Sequence, residues 1–136
     1  MQNSKSQFLN PKQISNSNFS NHKQYNLEER TFIFAKRVRI FIKKLPKTLT
    51  SIEDCKQLTR SSGSVGANYI EANESLSRKD FILRVKISKK ETKETRYWLR
   101  LVDTNDNNQL EQERQRLIQE TLELMKIFGA IIEKTK

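Results

Sequence analysis

The segment Arg60-Ser61-Ser62-Gly63-Ser64-Val65-Gly66-Ala67-Asn68-Tyr69-Ile70-Glu71-Ala72 constrains the fold most. Each glycine weakens a helix by about 1 kcal/mol relative to alanine. A propensity reading alone would therefore break a helix at Gly63 and Gly66. Yet Ile52, Cys55, Leu58 or Thr59, Ser62, Val65 and Tyr69 recur at three and four residues, a heptad-like seam that runs through both glycines. The two facts agree if the helix continues and the small residues form a notch that lets a neighbouring helix backbone approach closely.

The rest of the chain carries the same period. The first helix is predicted from about Leu27 to Leu45, with Phe34, Val38, Phe41, Ile42 and Leu45 on a core-facing stripe. Ile33, Ile40 and Phe32 widen its apolar surface beyond one seam, which hints at self-association. Glu28 and Glu29 suit its N-terminal dipole, Lys43 and Lys44 its C-terminal one, and Pro46 ends it. The second helix runs from about Ser51 to Ala72. The third opens at Ser77-Arg78-Lys79-Asp80, a Ser-x-x-acid pattern close to a capping box. Its core face is Phe81, Val85, Ser88, Thr92, Thr95, Leu99 and Val102. Asp103 to Asn108 reads as a polar linker. The fourth helix spans about Gln109 to Lys134, with Leu110, Leu117, Ile118, Leu122, Met125, Phe128, Ile131 and Ile132 inward. No segment alternates with period two, so no sheet is expected. Four helices on short connections predict an all-α, up-down-up-down antiparallel four-helix bundle over residues 27–136.

Residues 1–26 differ in kind. They are rich in Asn, Ser, Gln and Lys and lack a period, so they bury too little apolar surface to offset the entropy of ordering and are expected to form a disordered, polar and basic tail. The tail lacks the apolar run of a signal peptide. No stretch reaches the roughly 20 apolar residues of a membrane span. The expectation is a soluble cytoplasmic protein with no membrane partner.

Little catalytic chemistry is legible. The one histidine, His22, falls in the tail, which removes histidine acid–base catalysis and the Glu-x-x-His pairs of di-metal bundles. The one cysteine, Cys55, excludes an intrachain disulfide and any multi-cysteine metal site, and its place on the apolar stripe suits a small buried hydrophobe. Gly63-Ser64-Val65-Gly66 fits the bare Gly-x-x-Gly of a KH domain, but that domain needs strands. Glu91 and Glu94 stand among Lys89, Lys90, Lys93 and Arg96 and read as surface ion pairs. No enzyme activity, cofactor or metal site is expected.

What remains is positive charge. The chain carries a formal +10. Residues 27–50 hold seven Lys/Arg against two Glu, and residues 77–105 hold nine against four acids. In the third helix Lys86, Lys89, Lys90, Lys93, Arg96 and Arg100 recur at three and four residues and form a ridge about four turns long. Lys36, Arg37 and Lys43 of the first helix lie outside its main stripe and are added to the candidate nucleic-acid contacts. A ridge of this kind tracks a phosphate backbone without reading bases. Few aromatics accompany it apart from Tyr97 and Trp98, and Trp98 is expected to pack at a helix or subunit contact. The alternative reading is a protein-interaction scaffold docking through the wide apolar face of the first helix.

The sequence also resembles the bacterial four-helix-bundle family found in 23S ribosomal RNA intervening sequences, from about Leu27 onward. The resemblance is carried by Leu45-Pro46, by the small-residue segment at 60–72, by Ser77-x-Lys79-Asp80-Phe81-Ile82, by Glu94, and by the Leu-Met-Lys-Ile-Phe-x-x-Ile-Ile pattern at 124–132. Gly63 replaces a more usual alanine-like residue, and Lys89-Lys90-Glu91 replaces a run usually small or apolar. The resemblance implies a closed up-down bundle that often assembles as a homopentamer. Some relatives are accessory proteins of diversity-generating retroelements, which bind nucleic acid and a reverse transcriptase. On the family's pattern Arg60, Asn68, Glu71 and Asp80 are the polar positions near the corner between the second and third helices, expected in a structural hydrogen-bonded network or a subunit contact.

Overall fold

The computed structural model describes residues 26–136. The predicted tail therefore lies outside the described residues, with His22, except for Asn26. That residue belongs to the fold, because its side chain caps the first helix. The four helices are α1 (Leu27–Lys43), α2 (Leu49–Asn73), α3 (Arg78–Leu101) and α4 (Asn108–Thr135). Each packs on its neighbours in chain order, and α4 returns to α1, the sparsest of the four contacts around the bundle. This is the up-down-up-down antiparallel bundle, with no strand among the described residues.

Every helix starts on a side-chain cap. Asn26 accepts from the Glu29 amide at 2.7 Å, Thr48 from Ser51 at 3.3 Å, Ser77 from Asp80 at 3.1 Å and Asn107 from Leu110 at 2.9 Å. Such caps satisfy amides that a helix leaves open, and each contributes about 1 kcal/mol. The α3–α4 connection turns through Asn105 and Asp106, both at φ 57°. Asn and Asp tolerate this left-handed conformation better than most residues.

The core follows the predicted stripes with two shifts of register. Phe34, Val38 and Phe41 of α1, Leu45 just past its end at Lys43, and Val85, Leu99 and Val102 of the α3 segment are buried as the spacing predicts, although α1 stops two residues short of the predicted Leu45. On α2 the buried seam begins at Ser51 and runs through Leu58, Ser62 and Val65 to Ala72, leaving Ile52 exposed. On α4 the central residue is Leu124, seven after Leu117 and four before Phe128, while Leu122 and Met125 sit at the margins. Cys55 is half-buried against the core, and burial raises its thiol pKa.

The small-residue segment of α2 works on two sides. Toward α1, a side chain at Gly66 would come within 2.7 Å of Thr31 Oγ1, so only glycine allows the observed approach. Toward α3, Ser61 and Ser62 are fully buried. There Thr95 donates to Ser61 Oγ at 2.9 Å, and Ser88 donates to the Val65 carbonyl at 2.9 Å. Short hydroxyl side chains thus keep two backbones close while satisfying their own polar groups. Helix α2 passes through Gly63 without a break, and α3 passes through Lys89-Lys90-Glu91.

Candidate nucleic-acid interface

The solvent face of α3 is the strongest concentration of positive charge. This helix holds nine Lys/Arg and three acids, Asp80, Glu91 and Glu94. Its buried residues Val85, Ser88, Glu91, Thr92, Thr95 and Leu99 point into the bundle. At about 100° per residue, Lys86, Lys89, Lys90, Lys93, Arg96 and Arg100 share one arc beside that buried face, with Arg96 at its inner edge. Five of the six are exposed, and Arg96 is half-buried. Lys89 leans over α4, its Nζ 3.3 Å from where a Cβ of Gly129 would stand, so the ridge borders the α3–α4 groove.

Two acids of α3 make their ion pairs away from this ridge. Glu91 and Glu94 form none with the neighbouring lysines, the pairing their sequence context suggested, although the Lys90 charge still acts on Glu94. They take Arg60 of α2, Glu91 at 3.2 Å and Glu94 in a closer ion pair. The Trp98 indole also donates to Glu94 at 3.0 Å. The indole first, and then Arg60, holds the Glu94 carboxyl below its usual range against the opposing effect of burial. Trp98 is half-buried and packed against the core, while Tyr97, edge-on to it at 4.9 Å, is exposed.

Arg37 is a correction to the sequence reading. It is only 8% exposed and holds Glu113 of α4 with two hydrogen bonds of 2.8 and 2.7 Å. Its sequence position outside the apolar stripe concealed an interface with α4. Lys36 and Lys43 are exposed, but α1 packs on α2 and α4 and stands diagonally across the bundle from α3. They therefore do not extend the α3 ridge.

The four polar corner positions separate. Arg60 is the α2–α3 strut just described. Asn68 donates to the Ser64 carbonyl at 2.9 Å and accepts from Arg84 of α3 at 3.3 Å. Glu71 and Asp80 are exposed. No single hydrogen-bonded network joins the set.

Sequence reasoning missed the charged contacts inside the bundle. Arg30 forks onto Glu120 with two bonds of 2.8 Å and reaches Glu123 at 2.9 Å. Burial works against the Arg30 charge, but Glu120 and Glu123 outweigh it and keep the guanidinium protonated. Glu120 is only 1% exposed, and burial pushes its carboxyl up to about 7 although Arg30 pulls the other way. Arg114 of α4 binds the carbonyls of Leu99 at 3.2 Å, Arg100 at 3.3 Å and Val102 at 2.5 Å, closing the C-terminus of α3. A signal did exist: Arg30 lies four residues before Phe34, and Glu120 lies four before Leu124, both on the buried stripes.

Among the described residues no group of His, Cys, Asp and Glu is placed to hold a metal ion, and no helix is long and apolar enough to cross a membrane.

Comparisons with known proteins place this arrangement. Residues 23–130 match the model of the 23S rRNA-intervening sequence protein family. A crystal structure of a protein of unknown function from the S23 ribosomal protein family of Bacteroides thetaiotaomicron superposes with a TM-score of 0.69 at 30% identity, covering 79% of this chain and 98% of that one. No curated protein matches.

Proposed function

The chain belongs to the 23S rRNA-intervening sequence protein family, and on that premise we propose that it is a non-enzymatic, self-associating cytoplasmic bundle that binds RNA or DNA through α3 with little sequence preference. The observation that carries this reading is the exposure of Lys86, Lys89, Lys90, Lys93 and Arg100 along one helix, none of them in an ion pair among the described residues, while Glu91 and Glu94 of the same helix pair with Arg60. Unneutralised cations spaced along about four turns attract a polyanion and release its counterions on contact. Bases go unread because the ridge carries charge and few exposed rings, which favours phosphate contacts over stacking.

An electrophoretic mobility shift across a salt series tests it. Affinity is expected to fall by about 0.9 log unit per log unit of salt for each duplex phosphate neutralised. Charge reversal of Lys89, Lys90 and Lys93 is expected to abolish the shift with helicity intact. Absence of a shift at low salt with duplex or single-stranded RNA or DNA overturns the reading.

A second reading has its own observation. Phe32, Ile40 and Ile70 are each 47% exposed, and Phe32 and Ile70 border an apolar groove of about 310 Å³ between α1 and α2. Such a face suits a scaffold or an accessory subunit, for example of a reverse transcriptase, or the contact between copies in a homopentamer. Light scattering tests this face: assembly that survives charge reversal of the ridge belongs to it, whereas a monomer at micromolar concentration removes it together with the self-association of the first reading.

A further inference from the structure

We propose that the groove between α3 and α4 seats a single phosphate group on Arg96 and Arg100, giving the ridge a fixed anchor within its diffuse field. The proposal rests on the polyanion reading above and names the point where one phosphodiester docks.

The groove is shallow and open to solvent, has a volume of about 330 Å³ and is lined by Arg96, Arg100, Glu111, Arg114, Gln115 and Ile118. Two of these are already engaged. Arg114 binds the last carbonyls of α3 and pairs with Glu111. Glu111 also accepts from the Thr104 hydroxyl at 2.5 Å, and Arg114 first, then Thr104, holds its carboxyl below the usual range. The one carboxylate in the groove is thereby satisfied and does not compete for the remaining cations. What is left is a pair of guanidiniums one turn apart on α3, the Gln115 amide on α4, and the apolar Ile118.

Arg96 and Arg100 belong to the arginines without a carboxylate partner. Arg30, Arg37, Arg60, Arg114 and Arg116 have one. Arg39 and Arg84 turn to carbonyl oxygens instead, and the side chains of Arg96 and Arg100, which share one groove, have neither kind of partner among the described residues. The Arg96 Nε is furthermore buried without a hydrogen-bond acceptor. A buried donor left open is costly, because water cannot reach it. A lysine ammonium of the ridge is already hydrated and gains little from one particular position. An entering phosphate meets the guanidinium groups of Arg96 and Arg100 where they line the groove. Phosphate matches the pair best, because two planar forks can share its tetrahedral set of oxygens.

The first test follows the arginine Nε–Hε signals of the full chain by ¹⁵N-edited NMR as inorganic phosphate is added, with acetate at matched ionic strength as the carboxylate control. Arg96 and Arg100 are expected to shift at phosphate concentrations that leave the exposed Arg78 unmoved. Equal movement of Arg78, or an equal response to acetate, overturns the seat. The second arm measures duplex RNA binding by the R96K/R100K double variant, which keeps the charge. Affinity is expected to fall about tenfold, the value of one charge-assisted hydrogen bond, with the salt slope unchanged. Unchanged affinity overturns the seat and leaves the ridge reading standing. If the native chain binds no duplex at low salt, the ridge reading falls and the phosphate titration alone decides the seat.

Discussion

Arg30 and Arg37 on α1 and Arg96 and Arg100 on α3 are the same residue type in equally basic stretches, and they end in opposite states. The α1 pair is buried and forked onto Glu120 and Glu113. The α3 pair faces a groove whose carboxylate is already taken. The difference lies in the facing helix. Helix α4 presents Glu113, Glu120 and Glu123 to α1, but toward α3 it offers Glu111 with its own arginine attached, and farther along a glycine, Gly129. A cation becomes a strut or a docking point according to the group opposite it, and its own sequence neighbours do not reveal which.

The comparison breaks most readily at Arg30. Arg30→Ala leaves Glu120 buried without its fork, and unfolding by urea at pH 8 is expected to show a loss of about 3–5 kcal/mol. A loss below about 1 kcal/mol would mean that the α1–α4 clamp does not hold the bundle.

Next in size is the pH dependence. The folded-state pKa of Glu120, about 7, lies above its ordinary value of 4.5. The folded chain therefore holds this proton more tightly than the unfolded one. The stability from this group is full below about pH 4.5 and is lost as pH rises through 7, by on the order of 3 kcal/mol. Thermal unfolding from pH 4.5 to 7.5 is expected to show this decline in the native chain and a flatter profile in Glu120→Gln. Parallel profiles would assign the slope to other groups.

Arg37→Ala ranks third. Glu113 keeps Arg116 at 3.1 Å and is nearer water than Glu120, so the expected cost is about 2 kcal/mol. A cost equal to that of Arg30→Ala would mean that burial depth does not grade these pairs.

The smallest stability effect belongs to the open side. Lys89→Ala with Lys93→Ala is expected to change folding stability by less than about 0.5 kcal/mol. The same variant is expected to lower the salt slope of duplex binding by about 1.8, two phosphates' worth. A large loss of stability would make those lysines struts as well, and the contrast between the two regions would disappear.

Much of the fold was legible because local chemistry specifies it. Ser77 before Asp80 announced the start of α3, and the Phe34–Val38–Phe41 spacing announced the buried face of α1. Gly66 was readable as a notch because apolar spacing continued past it. The register of α2 was less so: Ile52 is apolar and Ser51 is not, yet Ser51 is the buried one. A hydroxyl in the first helical turn is small enough to face the bundle, and hydrophobicity does not report size. Of the candidate site, the α3 ridge was readable as a repeat of cations. Arg37 was misread because a buried arginine and an exposed one look the same until their acceptors are known.

The sequence by itself determined four amphipathic helices over residues 27–136 and the cap at the start of the third, since capping and periodicity act within a few residues of one another. It also determined that α3 is the most basic of them. Only the tertiary structure decided which cations are consumed by Glu113, Glu120 and Glu123 and which stay open, because those partners lie more than seventy residues away along the chain. Charge pairing across a bundle depends on distance in space, and that is fixed when the helices pack.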